Sequence, residues 1–359
     1  MSNEQKHFRL GVFMPVGNNG WLLSKTAPQY LPTYQLNRDV ALLAERIGFD
    51  YLFSMAKWSG YGGETDFWDY SIESFTLMAA LAEATTQMRL VASISPILIH
   101  PTIVAKMMAT LDDISGGRIA LNIVSSDTEY TRMGLYPQDF YSYRHKYLDE
   151  WLRVVKLLWA GDPVNFEGEY FKLTGYASKP RPLQQPGPPI VYATSSEAGY
   201  GFVVEQCDEA FVGYGDGTEM NAKSKLLKKM AGDLGRSIKT QTLVTPIVGD
   251  TDADAQRIME GYREGADLEV IAKVYDRGAY QGDLRVRGQE LLDQGYPQTL
   301  TYYGGPLIGG PERVADLIED VVVNGDFDGM LCTFPDFIDG LERFEDLVMP
   351  LLKKRGIRV

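Results

Sequence analysis

RLVASISPILIHPTIVAKMMATLDDISGGRIALNIV, Arg89 to Val124, holds the pattern that decides the fold. Arg89–Ser95 is a short apolar run and reads as a strand. Pro101–Leu111 has apolar residues at helical spacing and reads as a helix. Arg118–Val124 is a strand again. A strand, a helix and a strand in that order imply parallel pairing through a right-handed crossover.

The same alternation extends both ways. Strands are read at Phe8–Pro15, Tyr51–Ser54, Pro189–Ala193, Glu209–Val212, Thr240–Val248 and Gly329–Thr333. Helices are read at Asn37–Ile47, Ser71–Glu83, Ser142–Trp159, Ser196–Gln206, Met220–Leu234, Asp252–Gly265, Pro311–Val323 and Ile338–Leu352. Gly48 sits where a helix C′ glycine belongs. Eight strands, nearly all followed by a helix, give an α/β protein: a (β/α)8 TIM barrel with insertions at its C-terminal face. A doubly wound open sheet is the alternative, but no strand–GxGxxG–helix unit opens the chain. Gly213–Gly217 lacks that spacing and reads as a βα loop.

Two segments break the alternation. Ala160–Gly187 contains FEGEYF and then a proline-rich run, so a hairpin and an extended connector are expected. Leu268–Gly305 is a second insertion, rich in tyrosine and glycine. The length of 359 residues would divide into two domains, but a barrel uses all of it as one.

Charge and composition exclude several functions. Lys and Arg number 35, Asp and Glu 48, for a net charge of −13. No nucleic-acid partner is expected, because phosphate neutralisation needs a basic surface, and no anionic membrane. Cys207 and Cys332 are read as buried thiols. The N-terminus, MSNEQKHFRL, shows no signal-peptide pattern, and no apolar run reaches membrane-span length, so a cytoplasmic protein is expected.

In a barrel the residues just after each strand carry function. Candidates are Ala56, Lys57 and Trp58 after the second strand, and Ser93 at the end of the third. Asn122, Ser125, Ser126, Asp127 and Glu129 follow from the fourth, and Thr194, Ser195 and Ser196 from the fifth. Such polar, mostly uncharged groups suit binding a polar ring better than hydrolysing a bond. Ser195 and Ser196 either cap a helix or form an anion site. Arg144, in the first turn of a long helix, is either solvated or a phosphate clamp. The three histidines, His7, His100 and His145, form no metal-binding spacing, and no metal is expected. Glu64, Asp66, Asp69 and Glu73 form an acidic run: a solvated loop, or a divalent-cation site that would make the protein a barrel hydrolase. No GxSxG or P-loop motif occurs.

Leu111–Arg118 followed by Ile119–Ser125 resembles the signature of bacterial luciferase-like flavin monooxygenases. Gly309–Ala315 (GGPERVA) resembles that family's GxPxxVA helix start, with Pro311 at N1. Gly11–Tyr30, Glu64–Met78 and Thr333–Phe344 resemble its pyrimidine-monooxygenase subgroup, which opens the uracil ring with reduced FMN and oxygen. The resemblance implies FMN at the C-terminal mouth, reduced by a separate flavin reductase, with O2 as co-substrate. It places Ala56, Lys57, Asn122 and Glu129 on the flavin, and Arg144, His145 and Ser196 at its phosphate. Ser93 and Asn122 would act at the reacting oxygen. Trp58, Ser125 and Asp127 are assigned to a small heterocyclic substrate, and a homo-oligomer is implied.

One departure stands out. Members of the family often carry Gly-Trp after the fourth strand, where this chain reads Ser125-Ser126-Asp127 in a shorter loop. Loss of that aromatic wall would widen the pocket, so riboflavin, cleaved to lumichrome and ribose as by a riboflavin lyase of the family, stands beside uracil as substrate. A non-catalytic flavin-binding barrel is the alternative of another class.

Overall fold

The computed structural model describes residues 7–124, 130, 133–135, 139–193, 197–213, 217–276, 280–302 and 304–358. Eight parallel strands close a barrel: β1 (Arg9–Phe13), β2 (Tyr51–Phe53), β3 (Arg89–Ile94), β4 (Ile119–Ile123), β7 (Ile190–Ala193), β8 (Glu209–Val212), β9 (Lys239–Val248) and β11 (Gly329–Cys332). The ring shuts through β8–β9, β9–β11 and β11–β1. All eight expected strands are present, because each is a short apolar run buried on both faces.

Helices α1 (Tyr34–Ile47), α2 (Ser74–Ala84), α3 (Pro101–Ile114), α4 (Phe140–Ala160), α5 (Glu197–Gln206), α6 (Gly217–Asp233) and α7 (Asp252–Glu264) follow in order. After them come α8 (Leu268–Tyr275), α9 (Leu284–Gly295), α10 (Pro311–Val323), α11 (Phe337–Arg343) and α12 (Met349–Lys354). Gly48 ends α1 at φ 94°, a left-handed geometry that costs glycine little. The expected Ile338–Leu352 helix is interrupted by a π-helical turn at Phe344–Val348, where the Met349 N–H reaches back to the Phe344 carbonyl. Pro350 has no N–H to continue the regular ladder. α4 begins at Phe140, before the expected Ser142, which moves Arg144 into its second turn.

The first insertion forms the expected hairpin, β5 (Val164–Glu167) against β6 (Lys172–Tyr176). The buried Glu150 carboxylate on α4 holds its turn, accepting the N–H groups of Glu169, Tyr170 and Phe171 at 2.9, 2.9 and 2.6 Å. The second insertion is the helical pair α8–α9. It leads into a ninth strand, β10 (Gly305–Gly309), which among the described residues pairs with the outer half of β9. Its Gly-Pro-Leu-Ile-Gly composition carries little strand signal, so the sequence pattern missed it.

The barrel floor is polar. Arg9 grips Glu209 with two bonds of 2.8 and 3.0 Å, Gln241 donates to Glu209, and the Tyr51 hydroxyl donates to Gln241 at 2.5 Å. Gly11 leaves room for the Tyr51 ring; a Cβ there would lie 2.4 Å from it.

The family-like Leu111–Arg118 segment is also structural. Arg118 donates to the carbonyls of Ser115, Met88, Ala82 and Thr85 at 2.7–2.9 Å, tying the end of α2 to the start of β4. Beside it, Glu45 accepts the N–H groups of Thr86, Gln87 and Met88 at 2.8, 2.6 and 3.2 Å. Burial alone would raise this carboxyl, but the three amides and nearby Arg118 hold it below its ordinary value of 4.5. The folded state therefore binds the proton more weakly than the unfolded chain. The stabilisation is complete above the unfolded value and is lost as pH falls through the depressed folded one. Glu45→Gln should flatten the acid limb of the Tm–pH curve below about pH 4.5. Thermal melts across that range check this, and an unchanged limb would count against it.

Candidate active site

Three rings fix which residues face the barrel interior. Phe13 lies 4.9 Å from Phe53, and Phe211 lies 6.4 and 6.0 Å from the two. β8 neighbours neither β1 nor β2 in the sheet, so these rings meet across the barrel. Phe53 pairs with Val91, and side chains alternate along a strand, so Ser93 also faces inward. Ser93 pairs with Asn122, which brings both to the C-terminal ends of β3 and β4.

There they join a buried relay. Asn122 Nδ2 donates to Ser93 Oγ at 2.8 Å, and the Ser93 hydroxyl donates to the Ser54 carbonyl. Ser54 Oγ donates to Ser74 Oγ at 2.8 Å, which also accepts the Ser93 N–H at 2.8 Å. The direction of this chain decides the Asn122 amide. Ser93 has spent its proton on a carbonyl, so it only accepts from Asn122. Asn122 must present Nδ2 to it, which leaves Oδ1 as a buried acceptor with no hydrogen-bond partner among the described residues. Such an orphan costs roughly 1–3 kcal/mol unless an N–H or O–H donor meets it. A flavin and a pyrimidine both carry such donors, so the site fits the expected cofactor on chemical grounds.

Around the mouth, Ala56 is half-buried and Lys57 is buried, its carbonyl accepting from Ser71 at 3.0 Å. The Lys57 ammonium sits 4.5 Å from the centre of the Tyr61 ring. Trp58 is 42% exposed. Arg144 and His145 lie on α4, with the His145 ring 6.4 Å from Phe202 of α5. Burial, then the charge of Arg144, lowers the His145 pKa from its ordinary value. Ser125, Asp127, Glu129 and Ser196 lie outside the described residues, as do Ser126, Thr194 and Ser195.

An aromatic layer flanks the mouth on the β1–β2 side. Trp21 packs on Phe13 at 4.3 Å and on Trp68 at 5.0 Å. Tyr302, from the second insertion, packs on Trp68 at 4.2 Å. Asn18 and Asn19 fasten the loop after β1 to the loop after β2 through the Asp66 and Thr65 carbonyls at 2.9 and 2.6 Å. That accounts for the Gly11–Tyr30 block structurally. Sequence reasoning missed Ser54, Ser74, Tyr61 and Tyr302 as neighbours, since only the folded chain brings them together.

Residues 8–328 match the family described as luciferase-like monooxygenase. The chain belongs to that family. It is similar to pyrimidine monooxygenase RutA of Acinetobacter baylyi, 36% identical over 97% of this chain and 95% of that protein. The Bradyrhizobium sp. RutA is 36% identical over 98% of both. Among solved structures, a riboflavin lyase bound to modified FMN and riboflavin superposes with a TM-score of 0.85 at 22% identity, over 99% of this chain and 93% of that one. This family member is thus a flavin-dependent monooxygenase, as the sequence resemblance implied.

The acidic run serves the fold. Glu64 pairs with Lys25 at 2.9 Å and Arg285 at 3.5 Å. Glu73 caps α2, and Asp69 accepts the Gly62 N–H at 3.1 Å. Among the described residues no group of three potential ligands converges on a cation position. Cys207 and Cys332 are buried thiols, raised in pKa by burial. No described helix is long and apolar enough to cross a membrane.

Proposed function

We propose that this flavin-dependent monooxygenase takes reduced FMN from a separate flavin reductase, uses O2, and cleaves a nitrogen heterocycle of pyrimidine type. The observation that carries the reading is the Asn122 Oδ1 acceptor, held by Ser93 inside the barrel mouth. The similarity to pyrimidine monooxygenases over nearly the whole chain supports the substrate class. Reduced flavin, when bound, supplies the electrons that activate oxygen.

The chain's own residues bind and orient. Asn122 accepts a ring N–H, and Ser93 keeps its amide from turning. Ala56, Lys57 and Glu129 line the flavin. Arg144, His145 and Ser196 take its phosphate, with the Arg144 guanidinium supplying the opposite charge. Trp58, Ser125 and Asp127 contact the substrate.

A second reading rests on the Ser125-Ser126-Asp127 run. Without a tryptophan there, the mouth admits a larger ring, and riboflavin presents a uracil-like edge to the same acceptor.

One experiment separates the readings. The purified protein is incubated in air with FMN, NADH and a flavin reductase, plus either uracil or riboflavin, and products are followed by HPLC. Enzyme-dependent loss of uracil supports the first reading. Lumichrome with ribose, absent from light and no-enzyme controls, supports the second. Consumption of neither compound rejects both and leaves a flavin-binding barrel without turnover on these rings.

A further inference from the structure

We propose that Tyr61 and Tyr302 form a specificity lip at the barrel mouth, against which a flat nitrogen heterocycle stacks; the ring class rests on the function proposed above. The aromatic layer grades outward from the barrel. Phe13 is interior, and Trp21 and Trp68 behind the lip are 5% and 2% exposed. Tyr61 and Tyr302 are partly buried, less enclosed than the two tryptophans. Their hydroxyls lie 2.8 Å apart, joining the loop after β2 to the second insertion. The two ring centres are 5.9 Å apart, with the planes inclined at 49°.

The lip is held before any ligand arrives. The Tyr302 N–H donates to the Trp21 carbonyl at 2.9 Å, and Lys273 Nζ donates to the Tyr61 carbonyl at 2.8 Å. Asp267 at the start of α8 accepts both the N–H and the hydroxyl of Thr65 at 2.9 Å. The insertion is therefore fastened to the loop that carries Tyr61. Rings already ordered lose little entropy on binding, and offset stacking adds to the gain from area burial. The Lys57 ammonium lies 4.5 Å from the Tyr61 ring centre, a buried positive charge beside the lip. The second insertion thus has a role in substrate choice.

The test compares Tyr302→Leu and Tyr302→Phe with wild type in the reductase-coupled assay, on whichever of uracil and riboflavin wild type consumes. Leucine removes the stacking face and should raise KM about tenfold, with a smaller change in kcat. Phenylalanine keeps the face but loses the hydroxyl link, so its KM should rise less. The FMN dissociation constant, read by fluorescence, should match wild type in both. Equal KM values in wild type and Tyr302→Leu overturn the lip. So does an equal loss of FMN affinity, which a merely structural role would produce. If wild type consumes neither compound, the proposed function fails in that control lane. The lip is then judged by equilibrium dialysis of lumichrome, and equal affinity of wild type and Tyr302→Leu overturns it.

Discussion

Asn122→Ala is expected to lower kcat/KM by about 10²–10³ while leaving the melting temperature unchanged or slightly raised. The two effects separate because the amide has two ends. Its Nδ2 is satisfied by Ser93 at 2.8 Å, whereas its Oδ1 is buried with no hydrogen-bond partner among the described residues. Removing an orphaned acceptor relieves a desolvation cost, which offsets the lost bond to Ser93. The ring N–H of the proposed substrate then has no Asn122 acceptor to orient it.

Ser93 offers a second probe of the same relay. Ser93→Ala strands Asn122 Nδ2 and frees the amide to rotate, so kcat/KM should fall although Ser93 need not touch the ring. Ser93→Thr keeps the hydroxyl and should restore most of the activity. Steady-state kinetics in the reductase-coupled assay, with melts of the same preparations, check the set. Full kcat/KM in Asn122→Ala would remove this residue from the reacting centre.

Glu209→Ala is expected to destabilise the fold by about 3–5 kcal/mol, the largest stability loss predicted here. Glu209 is 4% exposed and accepts from both Arg9 and Gln241. Its removal takes from the Arg9 guanidinium and the Gln241 amide the acceptor they share on the barrel floor. The pair as a unit is worth far less than that loss suggests. Replacing both ends, Arg9→Met with Glu209→Leu, should recover most of the stability, since no buried charge remains. Urea denaturation reads both, as a shift in midpoint at constant slope. Activity per folded molecule should hold in the double variant, because the floor lies at the strand starts and the mouth at the strand ends. A double variant as unstable as the single one would show that the floor depends on its charges.

How far the sequence could be read follows from the range of each signal. Arg89–Val124 announces its strand, helix and strand through local spacing, and the barrel follows from repeating that unit. Pro101 and Pro311 at helix starts and Gly48 at a helix end are equally local. Ser93 and Asn122 could be placed near strand ends, and their resemblance to flavin-enzyme positions gave them a role. Nothing local showed that they bond to each other, or that Ser54 and Ser74 complete the relay. β10 escaped notice because its stability comes from pairing with β9 rather than from its own residues.

The amino-acid sequence by itself determined the eight-strand alternation, the hairpin insertion and the family, because periodicity, capping and motif spacing are written in consecutive residues. The tertiary structure alone decided which atoms meet. It fixed the direction of the Asn122–Ser93–Ser54 relay, which requires three strands in register. It also placed Tyr302 against Tyr61 across a separation of 241 residues. Such contacts depend on barrel closure and on the path of the second insertion, and no spacing along the chain encodes a hydrogen bond between residues so far apart.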